Sequence, residues 1–164
     1  MDRRRAMSDL PARSQQIQQL LAEHGVPGQI RVLPESSHTA AQAAAALGTD
    51  VGAIASSLVF LADDRPLLVM TSGAHRVDTA MLGLELGQEI TQAAPNHVKQ
   101  VTGQPIGGVS PIGHPEPLRT IVDSSLQAYD ELWAAGGTPN TVFPISYADL
   151  LRITGGTPMR VAPA

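Results

Sequence analysis

The residues best suited to chemistry form a glycine-rich loop rather than a group of reactive side chains. This glycine loop consists of Gly107, Gly108, Val109, Ser110 and Pro111. Glycine lets the backbone approach a ligand closely, whereas proline fixes φ and removes one amide donor. We therefore predict a shaped cradle in which backbone amides bind the ligand. The alternative interpretation is an ordinary surface turn.

Several kinds of catalytic site are not supported by the sequence. The absence of cysteine excludes disulfides, thiolate metal sites and a cysteine nucleophile. The segment Gly108-Val109-Ser110-Pro111-Ile112 lacks the second glycine of a nucleophile elbow, and the proline after Ser110 has no amide for an oxyanion hole. The five histidines are scattered and show no metal-ligand spacing: His24, His38, His75, His97 and His114. We therefore expect no metal and no organic cofactor, and an oxygen or a water molecule as any nucleophile.

Composition is typical of one globular domain. The chain has 164 residues, of which 43% are hydrophobic, and contains only 2 Phe, 2 Tyr and 1 Trp. A net charge of −4 gives no general attraction for a phosphate backbone, and so few aromatic residues disfavour extended single-strand binding. No apolar run could span a bilayer, and no signal peptide is evident, so we expect a cytoplasmic protein. Residues 1–13 are predicted to be a flexible, arginine-containing segment, and residues 14–164 a single domain.

Helix and strand signals alternate along the chain, which favours an α/β domain. Thr39 and Gln42 have the spacing of a capping box, and residues 63–66 have the composition of a hairpin turn. Helices are predicted over residues 14–24, 39–47, 78–86, 95–103 and 147–153. Strands are predicted over residues 29–33, 55–62, 67–71, 119–122, 131–135 and 141–145.

Four segments together resemble a known family. Residues 39–48, 54–60, 74–78 and 107–111 closely resemble, in order and spacing, the YbaK-type aminoacyl-tRNA editing domains. The resemblance covers about residues 29–156. Such domains are similar to the editing insertion of bacterial prolyl-tRNA synthetase, and as free-standing proteins they hydrolyse the ester of a wrongly charged tRNA. The resemblance implies a single α/β domain with a mixed, partly barrel-like central sheet flanked by helices.

The resemblance also implies a mechanism. In the family, the motif at residues 107–111 uses backbone groups to hold the aminoacyl ester, while an ordered water attacks with help from the terminal ribose hydroxyl of the tRNA. A backbone donor aimed at the developing carbonyl charge can contribute about 3 kcal/mol, so no protein nucleophile is needed. We expect a trans-editing deacylase that acts on the 3′ end of a mischarged tRNA. The expected substrate is proline tRNA carrying a small amino acid, with a synthetase as a further possible partner.

One residue departs from the family pattern. Many relatives carry a lysine where this chain has Ser56, and a hydroxyl cannot replace its charge. Either another group such as Arg76 makes the contact, or binding is weaker; alternatively, Ser56 only fills space in a strand. A second hypothesis is thus a non-catalytic binding module for a tRNA 3′ end, an aminoacyl group or a synthetase. A third is hydrolysis of another small acyl ester.

Six residues are predicted to contact the substrate, besides the glycine loop: His38, Ser56, His75, Arg76, Asp78 and His114. Each has a structural alternative. Asp78 begins a predicted helix and could be only its N-cap, and His114 could be an exposed turn residue. Asp123 and Asn140 are interpreted as turn or cap residues. The sequence leaves open the amino acid removed and the oligomeric state.

Overall fold

The computed structural model describes residues 10–37, 39–105 and 107–163, so the predictions for His38 and for residues 1–9 lie outside the described residues. The helices are α1 (Ala12–Glu23), α2 (Ala40–Leu47), α3 (Thr79–Leu86), α4 (Pro95–Thr102) and α5 (Tyr147–Thr154). The strands are β1 (Arg31–Val32), β2 (Ile54–Ala62), β3 (Arg65–Ser72), β4 (Ile90–Gln92), β5 (Arg119–Asp123), β6 (Leu132–Ala135), β7 (Thr141–Ile145) and β8 (Thr157–Met159). Short 3₁₀ turns cover Val51–Ala53 and Ser124–Ala128.

The predicted capping box and the alternative role of Asp78 as an N-cap are confirmed, and Ser146 is a third N-cap. Thr39 accepts a hydrogen bond from the Gln42 amide, and the Gln42 side chain accepts one from the Thr39 amide, which completes the capping box of α2. Asp78 caps α3 and Ser146 caps α5 in the same way, by accepting a hydrogen bond from a first-turn amide. Local side-chain chemistry therefore defines where these three helices begin.

The strands form one mixed sheet, as predicted, in the order β1-β7-β6-β2-β3-β5-β8, with β4 attached to β2. The β2–β3 and β6–β7 pairs are antiparallel hairpins. The β2–β6, β3–β5 and β5–β8 pairs are parallel. Within the described residues β1 and β8 each pair on one side only, so the sheet does not close into a complete barrel.

Strand β2 changes its neighbour along one edge. Ile54 and Ala55 pair with β6, whereas Phe60, Leu61 and Ala62 pair with β4. Between these two pairings, residues 56–59 have no strand partner on that edge among the described residues. The interval leaves β2 backbone open near the middle of the sheet, which is unusual because edge groups are normally paired or covered.

The helices pack on both faces of the sheet. Buried residues of α1, α4 and α5 share the main core with β2, β3 and β5–β7, around the fully buried Phe143. On the opposite face α2 and α3 belong to two separate apolar clusters, one around Trp133 and one around Phe60. Leu58 stays 40% exposed. The second face therefore has a gap between α2 and α3, at the unpaired interval of β2.

The sequence missed two strands and misplaced several element boundaries. Strands β4 and β8 are three residues each, too short for a periodic pattern. Strand β1 spans only two of the five predicted residues. Helix α1 begins at Ala12, two residues before its predicted start, and Leu10 is buried in the main core. No helix in the described ranges is long and apolar enough to cross a membrane.

The β2–β3 hairpin has a two-residue turn rather than the four predicted, because Ala62 pairs directly with Arg65. Both turn residues have positive φ, 48° for Asp63 and 66° for Asp64, as type I′ turns require. A left-handed backbone costs an L residue about 1–2 kcal/mol. Asp63 gains a compensating contact, since its carboxylate accepts a hydrogen bond from the Glu89 amide.

We predict that Asp64→Gly stabilises the protein. Glycine removes the left-handed strain but adds about 0.5–1 kcal/mol of unfolded-state entropy, so the free energy of unfolding should rise by about 0.5–1 kcal/mol. Urea denaturation measures the change. The control is Asp50→Gly, because Asp50 has an ordinary φ of −74° and its side chain makes no capping hydrogen bond. This substitution should lower the free energy of unfolding. Equal destabilisation by both substitutions would contradict the assignment of strain to Asp64.

Candidate functional site

A cavity of about 230 Å³ lies where β2 has no strand partner. We call it the β2 cavity. It is bounded by the glycine loop, by the first turn of α2 and by the β6–β7 hairpin. Its lining residues are Ser37, Thr39, Ala40, Ala43, Ile54, Ala55, Ser56, Ser57, Leu58, Gly107, Val109, Trp133, Ala134, Ala135, Pro139, Thr141 and Val142. No ionisable side chain is among these described lining residues, so the cavity is neutral and mostly apolar.

Two of the five glycine-loop residues line the cavity. Gly107 has φ +88° and is exposed, and Val109 is buried beside it. None of the described residues accepts a hydrogen bond from the amides of Gly107 or Val109. By contrast, the Gly108 amide donates to the Pro105 carbonyl. The loop thus offers two unpaired backbone donors at the cavity, the kind of group that stabilises a developing negative oxygen.

Gln104 holds the glycine loop from behind. Its side-chain oxygen accepts a hydrogen bond from the Ser110 amide (2.6 Å), and its side-chain nitrogen donates to the Ile112 carbonyl (3.2 Å). Gln104 is only 2% exposed. Because a buried amide is costly unless it is bonded, these contacts fix the loop conformation as well as satisfying Gln104.

Ser110, Pro111 and His114 support the loop rather than line the cavity. Ser110 is fully buried and its hydroxyl accepts a hydrogen bond from the Ile112 amide. His114 is half-buried, not an exposed turn residue, and its Nε2 lies 2.8 Å from the Ser110 carbonyl oxygen. Burial lowers the pKa of His114, against the opposing effect of that hydrogen bond. A neutral His114 therefore donates its Nε2 proton to Ser110.

The β6–β7 hairpin forms the other wall of the cavity. A side chain added at Gly108 would meet backbone atoms of Thr138 and Pro139 at 2.6–2.8 Å, so only glycine allows this close approach. The Thr141 hydroxyl lines the cavity but is bonded to the hydroxyls of Ser14 and Thr138. On the apolar side, the guanidinium of Arg31 lies 5.0 Å from the centroid of the Trp133 ring. These contacts join the wall to α1 and β1.

Ser56, which the family resemblance implies as a substrate contact, lines the cavity. Its side chain is half-exposed, and its hydroxyl bonds to none of the described residues. The same holds for the hydroxyl of Ser37. In contrast, the neighbouring Ser57 hydroxyl contacts Met70 Sδ at 3.1 Å, on the other face of the sheet. The cavity therefore presents two unpaired hydroxyls as well as two amides.

The structure places His75 outside the cavity. His75 Nδ1 lies 2.9 Å from Asp123 Oδ2 and 3.3 Å from Ser125 Oγ. Asp123 is 1% exposed and also accepts hydrogen bonds from the Ser72 amide and from the amide and hydroxyl of Ser125. Burial alone would raise the pKa of the Asp123 carboxyl, but the bonds from His75, Ser72 and Ser125 together hold that pKa below its usual range. Asp123 is thus an ionised carboxylate that accepts four hydrogen bonds, besides being the N-cap of the 3₁₀ turn Ser124–Ala128.

Arg76 and Asp78 also lie beyond the cavity, in the segment between β3 and α3. The Asp78 carboxylate accepts the Met81 amide, so its side chain serves as the N-cap of α3. Arg76 is exposed and forms no ion pair with any described residue. The sequence analysis gave no role to Gln104 and interpreted Asp123 only as a turn or cap residue. These roles were missed because Asp123 contacts His75, a partner distant in sequence, and because the contacts of Gln104 depend on the conformation of the glycine loop.

Comparison with known proteins finds a matching family model and several similar sequences. The sequence model of the aminoacyl-tRNA editing domain matches residues 34–153. The uncharacterized protein YwhH of Bacillus subtilis is 30% identical over 116 residues, which are 70% of this chain and 74% of YwhH. A proline–tRNA ligase of Nitratidesulfovibrio vulgaris (strain DP4) is 28% identical over 151 residues, covering 84% of this chain. The chain spans only 25% of that ligase.

One solved structure covers nearly the whole fold. A crystal structure described as a candidate trans-editing enzyme for prolyl-tRNA synthetase superimposes with a TM-score of 0.90 at 36% sequence identity. The match covers 95% of this chain and 100% of the other. The mixed sheet, the helices and their order are therefore shared along the full length of that protein.

We predict that Gln104→Met destabilises the protein by about 2–4 kcal/mol. Methionine keeps the length of the side chain but leaves the Ser110 amide and the Ile112 carbonyl without partners, at about 1–3 kcal/mol each. The free energy of unfolding in urea measures the loss. Gln100→Met, at an exposed position of α4, is the matched control and should change stability by less than about 0.5 kcal/mol. Equal effects at both positions would show that Gln104 does not hold the loop.

Proposed function

The chain belongs to the aminoacyl-tRNA editing domain family, and on this premise we propose that it is a trans-editing deacylase. It would hydrolyse the ester between a small mischarged amino acid and the terminal ribose of a tRNA. The tRNA for proline is the proposed substrate. Two relatives support this choice, since one is a proline–tRNA ligase and the other is described as a candidate trans-editing enzyme for prolyl-tRNA synthetase.

The observation that carries the proposal is the pair of unpaired amides, Gly107 and Val109, at the neutral β2 cavity. In the proposed reaction the ester carbonyl oxygen faces these amides. Water adds to the carbonyl carbon, and the bond from that carbon to the ribose oxygen then breaks. The water gives up one proton to the leaving ribose oxygen, assisted by the neighbouring ribose hydroxyl of the tRNA. The amides stabilise the negative oxygen formed in between.

Cavity size and charge support an aminoacyl group with a small, uncharged side chain. The volume of about 230 Å³ is below the range of roughly 300–1,000 Å³ typical of sites for larger ligands. Trp133, Val142 and Ile54 form an apolar part with no charged partner for an ionic side chain. A charged amino acid would lose its hydration there without compensation. Ser37 and Ser56 offer hydroxyls to the polar part of the substrate.

The alternative function is a binding module that recognises a tRNA end, an aminoacyl group or a synthetase without hydrolysis. The observation that favours it is Ser56, which lies in the cavity at the position where the family resemblance implies a lysine. No described lining residue supplies a cation in its place. The first experiment must therefore measure chemistry and binding separately.

We predict selective deacylation from a panel of proline tRNAs carrying alanine, cysteine, serine or threonine, with correctly charged tRNA as the control. Gly107→Ala should reduce kcat by about 100-fold, because it adds strain at φ +88° and displaces an oxyanion donor. The rate of release of labelled amino acid measures the effect. Gly87→Ala is the matched control, since Gly87 also has positive φ and open space but caps α3.

Two outcomes would contradict the proposal. If the folded wild-type protein releases no amino acid above the uncatalysed rate, it is not a deacylase for these substrates. If Gly107→Ala and Gly87→Ala have the same small effect, hydrolysis does not depend on the glycine loop. Turnover of simple acyl esters in the absence of tRNA would instead indicate a general esterase.

We predict that Ser56→Lys distinguishes the enzyme from the binding module. In an active enzyme, lysine should lower KM for aminoacyl-tRNA by adding a charge-assisted contact, with kcat changed less than about threefold. Steady-state kinetics and tRNA binding give the two quantities. If activity appears only in Ser56→Lys while the wild type binds tRNA, the natural chain is a binding module. Ser57→Lys is not a suitable control because Ser57 contacts Met70 in the core; Ser36→Lys, at an exposed position, is.

A further inference from the structure

Strand β2 brings backbone polar groups of its own to the β2 cavity, in addition to the amides of the glycine loop. Its pairing with β6 ends at Ala55, and its pairing with β4 begins at Phe60. Ser57 lies between these two points and lines the cavity. Because the Ser57 hydroxyl contacts Met70 Sδ, the polar groups that Ser57 leaves for a ligand are its backbone N–H and C=O. The direction of these two groups decides what they can bind.

The register between β2 and β3 fixes this direction. In an antiparallel pair, successive residues direct their N–H and C=O alternately toward the partner strand and away from it. The Ile54 carbonyl accepts a hydrogen bond from the Gly73 amide directly after β3, so Ile54 faces β3. Leu61 lies opposite Pro66, which has no N–H to donate, and it pairs with β4 on the other edge. Odd-numbered residues of β2 therefore face away from β3, and Ser57 is one of them.

The N–H and C=O of Ser57 thus point to the open edge of β2. Neither group has a hydrogen-bond partner in the part of the chain that the structure describes. Val59 is the other odd-numbered residue of this interval, but it is buried and does not line the cavity. Carbonyl groups away from bulk water are normally bonded, since an unpaired one is costly. The Ser57 carbonyl is therefore an acceptor available to a ligand in the cavity.

An aminoacyl ester has a donor that matches this acceptor. Its amino group is separated from the ester carbonyl carbon by a single carbon atom. An ester held at the amides of Gly107 and Val109 therefore keeps its amino group inside the small cavity. The described lining residues include no carboxylate, so the amino group must bind to neutral acceptors. It carries N–H donors in its neutral and in its protonated form, so the contact does not depend on its charge.

We propose that the Ser57 carbonyl accepts a hydrogen bond from the α-amino group of the aminoacyl ester. The inference rests on the proposed function, because it assumes that the ester occupies the β2 cavity. The contact selects α-aminoacyl esters over acyl esters that lack an amine. Recognition of the substrate class then comes from the open edge of β2, whereas the apolar part of the cavity selects the side chain.

The first test compares two substrates that differ only in the amino group. Proline tRNA is esterified with the amino acid that the wild type removes, or with the same acid lacking its amine. Each enzymatic rate is divided by the uncatalysed rate of the same ester, because the amine also changes the reactivity of the ester. We expect this rate enhancement to be about 10-fold larger for the aminoacyl ester, as for one hydrogen bond. Equal enhancements would overturn the inference.

The second test weakens the Ser57 carbonyl itself. Replacing Leu58 by its α-hydroxy analogue turns the peptide bond after Ser57 into an ester, whose carbonyl is a weaker acceptor. The replacement also removes the Leu58 N–H, which faces β3. The matched control replaces Phe60 in the same way: it also removes an N–H that faces β3, but it weakens the carbonyl of Val59, outside the cavity lining. The Leu58 replacement should lower the aminoacyl preference about threefold or more, and the Phe60 replacement should not change it.

The hydroxyls of Ser37 and Ser56 are the other unpaired neutral acceptors among the described lining residues. Ser37→Ala and Ser56→Ala should keep the preference for the aminoacyl ester, whatever their effect on the overall rate. If either substitution removes the preference while the Leu58 replacement does not, a hydroxyl binds the amine and the assignment to Ser57 is overturned. Circular dichroism confirms that each variant is folded.

A binding measurement separates failure of this inference from failure of the proposed function. The probes are two derivatives of 3′-amino-3′-deoxyadenosine that carry the same two acyl groups in an amide linkage, which is not an ester. Wild type should bind the aminoacyl derivative about 10-fold more tightly, and the Leu58 replacement should reduce this difference. Equal affinities in the wild type would overturn the inference. Absence of ester hydrolysis with the difference in affinity intact would overturn only the proposed function.

Discussion

The divided edge of β2 is the constraint on which the rest of the structure depends. A central strand normally pairs along its whole length on both sides, but β2 pairs with β6 at its start and with β4 at its end. The unpaired interval requires other groups to cover it, and the glycine loop lies there together with the β6–β7 hairpin. The cavity is therefore a consequence of strand pairing. Its position does not depend on a flexible loop.

A site made of backbone amides must be held by groups that do not themselves contact the substrate. Gln104 and His114 do this from behind, by hydrogen bonds to Ser110 and Ile112. A buried side-chain amide is costly when unpaired, so these contacts keep one loop conformation over its alternatives. The same contacts occupy the Ser110 amide and leave those of Gly107 and Val109 for a ligand. Support and binding are thus divided between neighbouring residues.

The sequence predicted those features that depend on neighbours in the chain. The capping box at Thr39, the cap at Asp78 and the β2–β3 hairpin follow from residues a few positions apart. The roles of Gln104 and Asp123 were not predictable in this way, since Asp123 contacts His75 from 48 positions away and Gln104 depends on the conformation of the loop. The position of Ser56 near the glycine loop came from the family resemblance, because no local pattern joins residues so far apart.

The described lining of the β2 cavity is neutral, and the buried carboxylate of Asp123 lies outside it. A cation inside a small apolar cavity would need an opposite charge or lose much of its hydration, and none of the described lining residues is charged. A buried ionised group lies instead at the sheet end, where Asp123 accepts four hydrogen bonds. Under the proposed function, an ester would therefore react against the amides of Gly107 and Val109 in a neutral environment.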